Sequence, residues 1–582
     1  MTNSKTEPDA GWFLGRCRKV ILRLLAELGL PASTHDIRDV ENRDDADLAI
    51  PLHSLAKNQG TEPNKLAEEC ARALNMAGAP FISVHAVNGY LNFKLAPAEL
   101  ATAVCNDFGR NPAVYGSCQV GSGKTVVIDY SSPNIAKPFS VGHLRSTIIG
   151  QSLYNILGWL GYRVIGDNHL GDWGTQFGKL LCAFHRWGNA DRLRQNPTGH
   201  LLELYVRFHN EAKTDPALES CGREWFRKLE TGDQQARSLW QHFVQLSLAE
   251  FNRIYELLGV RFDSVLGESF YEDRLSGVVE RALNRGVAKV ERLQEGETVL
   301  IPLERAGISS PLLLRKSDGT SLYATREIAT AEYRIEKWHP EMIIYVVGSE
   351  QELYFRQFSA ALKLLGIDVP CIHVSFGLVR LPDGSMSTRE GRVILLEDVI
   401  QEAIRRAEAV VTDRSLPETE KREIARKVGI GAIKYADLSQ NRLKEVVFDW
   451  NKMLRLDGDS APYLMYAYTR ARSIIRKAAT SPKINTKPSF HMLVSPAEQH
   501  LLKHIARFPD AVLAAGTLFE PCRIANRLYR IAKDFSVFYD TVPVLKAETN
   551  EVRAARLYLV EMTSTVLKTG LALLGIETSE RM

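Results

Sequence analysis

The chain has 582 residues, of which 45% are hydrophobic and 24% are charged, with a net charge of +4 and eight cysteines. This length and composition predict several folded domains and exclude a disordered chain, and no apolar run is long enough for a membrane span or a secretory signal. The scattered cysteines form no Cys-x-x-Cys pair, which disfavours a disulfide framework and structural zinc, so we expect a reduced, cytoplasmic, zinc-free protein.

The N-terminal residues 1–118 predict a small α+β domain. Residues 20–28 carry apolar side chains at helical spacing, and a second helix is predicted over 64–75, directly after Pro63. Residues 89–95 alternate in a way that predicts an extended segment. We therefore expect a few strands covered by short helices.

Residues 119–390 predict a doubly wound, Rossmann-like α/β domain. Short apolar and β-branched runs at 125–130, 162–167, 341–348 and 371–377 alternate with helical patterns. Strands that alternate with helices form parallel sheets whose ligands bind beyond the carboxyl ends of the strands. We expect the functional site at that edge of the sheet.

A long helical insertion is predicted at about 180–320, between the two halves of the sheet. It is expected to end in a β-hairpin, because residues 312–316 and 321–324 flank the turn sequence Ser317-Asp-Gly-Thr320. The sheet is therefore expected to be interrupted by one large excursion of the chain.

From residue 391 the patterns are helical, with a connecting segment at 391–455 and an all-α bundle at 456–582. Residues 451–582 hold 19 basic and 12 acidic side chains, so positive charge is concentrated in this part. A basic module on a slightly acidic body favours a polyanionic partner. The alternative is a chance imbalance on a solvated helix face.

The richest polar segment lies between the strand at 125–130 and a helix predicted to begin near Val141. The first amides of a helix have no partner within the helix and its dipole favours anions, so phosphates bind at this position. Gly142 allows a ligand to approach the backbone, and His143 follows in the first turn. The alternative is a polar surface loop with two turn-forming prolines.

Two strings of the chain resemble the signatures of the class I aminoacyl-tRNA synthetases in the arginyl-tRNA synthetase form. The first is Ser131-Ser-Pro-Asn-Ile-Ala-Lys-Pro138 with Val141-Gly-His-Leu-Arg-Ser146, and the second is Asp383-Gly-Ser-Met-Ser-Thr-Arg-Glu-Gly391. Ser140 replaces the first His of His-x-Gly-His, and Ser385 replaces the leading Lys of Lys-Met-Ser-Thr-Arg. Each replacement removes a phosphate-facing group, at an expected cost of ~1–3 kcal/mol in transition-state stabilisation unless neighbours compensate.

The resemblance implies a catalytic set drawn from both signatures. Its members are Lys137, Ser140, Gly142, His143, Met386, Ser387, Thr388 and Arg389. Most class I enzymes have a second Lys where this chain has Thr388, and Lys137 is expected to take over its phosphate role. The alternative for Lys137 is a solvated surface lysine.

The resemblance also implies an ATP site. The string Asn168-His-Leu-Gly-Asp-Trp-Gly-Thr-Gln-Phe-Gly178 is similar to the family segment that lines the adenosine pocket. The expected ATP-binding residues are Gly142, His143, Gly171, Asp172 and Gln176. The alternative is a glycine-rich turn around a core tryptophan, Trp173.

Recognition of arginine requires carboxylates or amides around a planar guanidinium, together with an aromatic side chain. The resemblance implies that Asp129, Ser131, Asn134, Tyr323, Glu327 and Gln351 supply them. Glu327 stands where most relatives have Asp, which keeps the charge and changes the reach. The alternative for Glu327 is an exposed acid at a helix start.

An amphipathic segment at 462–477 places basic side chains and tyrosines beside an apolar stripe. Aromatic stacking on unpaired bases and arginine contacts to phosphates are how RNA loops are bound. The expected tRNA-binding residues are Tyr463, Tyr466, Arg470, Arg472 and Arg476.

The resemblance therefore implies an arginine–tRNA ligase. ATP with Mg²⁺ would activate L-arginine to arginyl-adenylate, and the arginyl group would pass to the terminal 2′-hydroxyl of tRNA(Arg), which must bind before adenylate forms. A monomer is expected. The alternatives are a class I synthetase for another amino acid and a catalytically impaired tRNA-binding paralogue, which Ser140 and Ser385 favour.

Overall fold

A computed structural model describes most of the chain. The described residues are 11–41, 43, 45–74, 80–135, 137–293, 296–317, 322–381, 384–385, 394–411, 416–480 and 486–582. The strands are β1 (Arg38–Asp39), β2 (Leu48–Pro51), β3 (Phe81–Val87), β4 (Tyr90–Leu95), β5 (Thr125–Asp129), β6 (Arg163–Leu170), β7 (Ser264–Gly267), β8 (Lys289–Leu293), β9 (Gly296–Ile301), β10 (Leu312–Arg315), β11 (Met342–Tyr345), β12 (Cys371–His373), β13 (Val379–Leu381), β14 (Gly384–Ser385) and β15 (Val446–Val447). The α-helices are α1 (Phe13–Glu27), α2 (His53–Gln59), α3 (Pro63–Leu74), α4 (Pro97–Arg110), α5 (Leu144–Trp159), α6 (Thr175–Trp187), α7 (Ala190–Gln195), α8 (Pro197–Glu211), α9 (Pro216–Glu230), α10 (Gln234–Leu258), α11 (Leu275–Asn284), α12 (Tyr323–Trp338), α13 (Glu352–Leu364), α14 (Leu396–Glu408), α15 (Glu418–Leu438), α16 (Trp450–Met453), α17 (Ala461–Ala479), α18 (Pro496–Ala506), α19 (Phe508–Leu518), α20 (Cys522–Thr541) and α21 (Asn550–Leu573).

The N-terminal part is an antiparallel sheet in the order β1-β2-β4-β3 with helices against it. The helix predicted at 64–75 and the extended segment predicted at 89–95 are confirmed as α3 and β4. Side chains of the central strands are fully buried, among them Ile50, Leu91 and Phe93. This burial anchors the N-terminal sheet to its helices.

A parallel sheet in the order β12-β11-β5-β6-β7 forms the centre of the molecule. The chain runs outward from β5 through β6 to β7 and later returns beside β5 as β11, so a crevice opens between β5 and β11. The four predicted strands are confirmed as β5, β6, β11 and β12. The sequence did not predict β7, because a four-residue edge strand has too little pattern to detect.

The insertion contains helices α6 to α10, but it does not end as predicted. β10 pairs antiparallel with β9, which precedes it, and Tyr323 begins helix α12. The predicted hairpin is therefore wrong, because the turn sequence at 317–320 leads from a strand into a helix. This matters for the site, since α12 carries Tyr323 and Glu327 on a rigid element.

Helices α6 and α9 lie unusually close together. A Cβ on Gly178 would lie 2.2 Å from the carbonyl oxygen of Gly222, so only glycine permits this approach. The same contact brings Cys182 and Cys221 together, and the structure joins them in a disulfide. The expectation of a protein without disulfides is therefore wrong, because spacing along the chain does not reveal which helices touch.

The C-terminal helices contact the N-terminal part of the chain through ion pairs of helix α1 and of the residue before β2. The Nζ of Lys503 lies 2.7 Å from Asp47 Oδ1, and the Nη1 of Arg18 lies 2.8 Å from Asp510 Oδ2. Helices α5, α15 and α21 meet beside the central sheet. Among the described helices, none combines the length and the apolar character that crossing a bilayer requires.

We expect Gly178→Ala to destabilise the insertion, because the new methyl group meets backbone that cannot rotate away. A loss of ~1–3 kcal/mol is typical of overpacking, so the unfolding temperature of this part should fall by several degrees in calorimetry. Gly158→Ala is the matched control, since a Cβ there meets nothing within 4 Å on another helix. An unchanged melting curve for Gly178→Ala would contradict the close approach of α6 and α9.

Candidate active site

A cavity of about 370 Å³ opens at the carboxyl ends of β5, β6 and β11. Six residues that the sequence singled out line it, namely Asp129, Asn134, Gly171, Tyr323, Glu327 and Gln351. They come from strand ends, the start of α12 and the turn before α13. A Cβ on Gly171 would lie 2.3 Å from Asn134 Oδ1, so glycine is required for Asn134 to take its place in the wall.

Asp129, which lines the cavity, is paired with a buried arginine that also contacts a second aspartate. The Nη2 of Arg334 lies 2.6 Å from Asp129 Oδ2 and 2.8 Å from Asp167 Oδ2, and the Arg334 side chain is fully buried. Asp129 ends a buried strand, where a lone carboxylate requires a cation, and the structure supplies it from α12. Because the Asp129 carboxylate is ion-paired with Arg334, Asp129 by itself does not give the cavity a free negative charge.

Glu327 is a side chain of the cavity with unsatisfied bonding capacity, as are His169 and Tyr345. It is 2% exposed, and its Oε2 has no hydrogen-bond partner among the described residues. Its Oε1 lies 3.7 Å from His169 Nε2. Burial raises the pKa of this carboxyl, as expected for a negative charge that lacks a compensating cation. The cavity is therefore arranged for a positively charged ligand.

His169 and Glu268 also line the cavity, and sequence reasoning missed both. Burial raises the pKa of Glu268 to about 7, although His169 and Arg326 oppose this shift. His169 lies within the string that resembles the adenosine-pocket segment. Because the predicted strand ended at residue 167, the sequence did not indicate which way the His169 side chain faces. Glu268 follows the undetected strand β7, so no sequence signal pointed to it.

The start of α5 holds Ser140, Gly142 and His143 together. The Ser140 amide N–H donates to His143 Nδ1 at 3.2 Å, and the Phe139 ring stacks on the imidazole with 5.2 Å between centroids. Burial lowers the pKa of His143 to about 4, so the ring is neutral at pH 7. Because Nδ1 accepts a hydrogen bond, the proton resides on Nε2, which can donate to a ligand.

Lys137 lies in the same neighbourhood. Its Nζ is 5.9 Å from the centre of the Tyr205 ring, burial lowers its pKa, and its charge contributes to the lowered pKa of His143. The predicted catalytic residues of the second signature, Met386, Ser387, Thr388 and Arg389, lie outside the described residues. The chain beyond it returns to the first signature, since Leu395 bridges to Ser140 and the Leu396 amide donates to Phe139 O at 2.9 Å.

Several predicted residues do not line the cavity, namely Lys137, Ser140, Gly142 and His143 near the start of α5, and also Ser131, Asp172 and Gln176. Ser131 has a left-handed backbone with φ 70°, and its hydroxyl lies 2.9 Å from Thr147 Oγ1 and 2.8 Å from the hydroxyl of Tyr255. The carboxylate of Asp172 accepts from the amide and hydroxyl of Ser269 instead. Gln176 lies half-exposed in the first turn of α6. The structure thus separates Ser131 and Asp172 from the residues they were predicted to join.

On the C-terminal helices, Arg470 lies between two exposed tyrosines. Its guanidinium carbon is 4.7 Å from the Tyr466 ring centre and 4.5 Å from the ring centre of Tyr539 on α20. The side chains of Tyr466 and Tyr539 are 37% and 41% exposed, so both rings present aromatic surface to solvent. Tyr539 is a residue that sequence reasoning missed.

The other three predicted tRNA-binding residues make contacts within the helical bundle. The Tyr463 hydroxyl lies 3.2 Å from Ser536 Oγ. The Nε of Arg472 donates to Glu580 Oε2 at 2.8 Å, and the Nη1 of Arg476 donates to Glu580 O at 2.9 Å. These arginines therefore secure the C-terminus of the chain on α17.

Comparison with models of protein families shows to which family the chain belongs. A model for the class I (R) tRNA synthetase catalytic domain matches residues 111–450, more than half of the chain. The chain belongs to the class I arginyl-tRNA synthetase family. Models for the arginyl-tRNA synthetase N-terminal domain and the DALR anticodon binding domain match residues 16–95 and 464–582.

Relatives of this family cover nearly the whole chain. The arginine–tRNA ligase of Chloroflexus aggregans is 45% identical over 545 residues, which is 92% of this chain and 94% of that protein. The Clostridium perfringens arginine–tRNA ligase is 43% identical over 538 residues, with the same coverage. The solved Thermus thermophilus arginyl-tRNA synthetase superposes with a TM-score of 0.81 at 26% identity, covering 97% of this chain and 99% of that one.

Glu268 makes the stability of this family member depend on pH. The group keeps its proton up to about pH 7 in the fold but ionises near pH 4–5 when unfolded, so stability falls as pH rises through 7. Glu268→Gln should therefore melt at a higher temperature than the parent at about pH 8 and close to it at about pH 5. Thermal unfolding without ligand measures this.

The matched control is Glu280→Gln, at an exposed position on α11. It should follow the parent at both pH values. A Glu268→Gln protein that loses stability at about pH 8 would show that Glu268 is held as an ion by Arg326, whose Nε lies 3.8 Å away.

Proposed function

We propose that this chain activates L-arginine with ATP and transfers the arginyl group to tRNA(Arg). The observation that carries the proposal is the buried, unpartnered Oε2 of Glu327 in a cavity at the carboxyl ends of β5, β6 and β11, where the loop after β5 is bonded to α5. The guanidinium of arginine would supply the cation that this carboxylate lacks, with the planar group near Tyr323 and Gln351. Family membership supports the same reaction.

In the first step, the carboxylate of bound arginine attacks the α-phosphorus of ATP. The bond from the α-phosphorus to the leaving oxygen breaks, and pyrophosphate departs with that electron pair. The chain positions the reactants and offers donors where phosphate charge builds up, namely His143 Nε2 and the first amides of α5. Lys137 and Arg389 are proposed to supply the positive charge on the other side.

Ser140 has a defined role in this arrangement. It orients His143 through its amide and its hydroxyl, both 3.2 Å from Nδ1, and thereby selects the tautomer that donates from Nε2. A histidine at this position would add a phosphate donor that serine lacks. We propose that positioning of His143 compensates part of this loss.

Magnesium accompanies ATP as part of the substrate. The described residues contain no group of three His, Cys, Asp or Glu side chains that could hold a metal by themselves. We therefore place the ion on the phosphates. The monomeric state, the cytoplasmic location and the domain boundaries stay predictions.

In the second step, the terminal 2′-hydroxyl of tRNA attacks the carbonyl carbon of arginyl-adenylate. The bond between that carbon and the phosphate oxygen breaks, AMP leaves, and the hydroxyl proton is released. We propose that the exposed rings of Tyr466 and Tyr539, with Arg470 between them, bind unpaired bases of the tRNA.

The proposal is tested by charging tRNA(Arg) with labelled arginine. Glu327→Gln should raise the KM for arginine about 10- to 100-fold with a smaller effect on the KM for ATP, because the variant loses a charged hydrogen bond worth ~1.5–3 kcal/mol. Glu336→Gln, on the exposed side of the same helix, is the matched control and should behave as the parent. Absence of arginine-dependent charging by the parent would refute the proposed function.

The tRNA face is tested separately. Tyr466→Ala should raise the KM for tRNA about 10- to 100-fold and leave the KM for arginine unchanged, since stacking contributes ~1–3 kcal/mol per base. Tyr468→Phe is the control, because Tyr468 is buried on the same helix and would lose only its bond to Glu580. Equal KM values for tRNA in both variants would show that bases do not stack at Tyr466.

A further inference from the structure

Arg145 lies two residues after His143 on α5 and is 1% exposed. Its Nε donates to Asp437 Oδ1 and Oδ2 at 3.1 and 3.0 Å, and its Nη2 donates to Asp437 Oδ1 at 2.8 Å. Its Nη1 donates to Gly377 O at 2.7 Å and to Lys444 O at 2.9 Å. One guanidinium therefore joins the helix of the first signature to three positions that are distant in sequence.

Two of these partners, Gly377 and Lys444, lie at the two ends of residues 377–444, a segment that we call the excursion. Gly377 lies shortly after β12, the edge strand of the central sheet, and Lys444 lies just before β15, which belongs to a separate sheet in the order β14-β13-β15. The ends also contact each other, since the Gly377 amide donates to Arg442 O at 2.9 Å and β13 pairs with β15. The second signature, with Arg389, belongs to this excursion.

We propose that Arg145 is a positioning residue, which fixes the base of the segment carrying Arg389 relative to His143. The inference rests on the proposed function, because it assigns both signatures to one reaction. The planar fork of arginine satisfies a carboxylate and two carbonyl oxygens at once, which an ammonium group cannot match in direction. Arg145 acts through the loop and does not touch the substrate.

Lys434 provides a matched control. It lies one turn before Asp437 on α15, is also buried, and donates to Leu258 O and Gly575 O. It thereby joins the ends of α10 and α21, and both of these hydrogen bonds lie outside the two signatures. Loss of Lys434 removes a buried charge from α15 but leaves the bonds from Arg145 to Asp437, Gly377 and Lys444 in place.

The test is arginine-dependent ATP–pyrophosphate exchange with tRNA present. Arg145→Lys should lower kcat about 100-fold, since a displacement of about 1 Å in a reacting group costs this much, while the KM for arginine and the Kd for tRNA stay within about threefold. Asp437→Asn should change kcat in the same direction. Lys434→Met should lower the melting temperature and leave kcat close to the parent.

A double-mutant cycle separates positioning from general destabilisation. In an Arg389→Ala background, Arg145→Lys should lower kcat by less than about threefold, because the group it positions is already absent. Independent, multiplicative losses would overturn the inference, and so would an unchanged kcat in Arg145→Lys. If the parent charges arginine while these outcomes occur, the positioning role fails and the proposed function stands.

Discussion

The buried contact of Arg334 with Asp129 and Asp167 is the constraint on which the site depends. Two carboxylates at paired positions of neighbouring parallel strands would repel each other and resist burial unless a cation lies between them. Arg334 supplies it from α12 and so fixes that helix over the sheet. The same helix carries Glu327, whose Oε2 has no hydrogen-bond partner among the described residues, and this is why we propose that the cavity binds a cation.

The loop after β5 holds the two halves of the site in place. Ser131 and Ser132 both have left-handed backbone conformations, which cost of order 1–3 kcal/mol each and persist only where other bonds determine them. The Ser131 amide donates to Ser146 Oγ on α5, and the Ser132 amide donates to Asn168 Oδ1 on β6. The loop therefore connects the cavity wall to the helix that carries His143.

Much of the site could be predicted from residues that stand together in short strings. Asn134, Tyr323 and Gln351 were predicted because the strings that contain them resemble those of the arginyl-tRNA synthetase family, and the structure places all three in the cavity wall. Arg334 and Glu268 could not be found this way. Arg334 is a buried arginine of α12 whose aspartate partners lie on β5 and β6. Glu268 follows β7, a strand that is too short to detect in the sequence.

The sequence by itself determined the α/β order, the location of the site at the carboxyl edge of the sheet, and the residue types available there. These follow from local patterns of burial and from the chemistry of consecutive side chains. Only the tertiary structure decided which side chains face each other. The positive φ of Ser131 turns its side chain away from the cavity, and Asp172 accepts hydrogen bonds from Ser269. Cys182 meets Cys221. Such contacts join segments that are distant in sequence, so no local pattern predicts them.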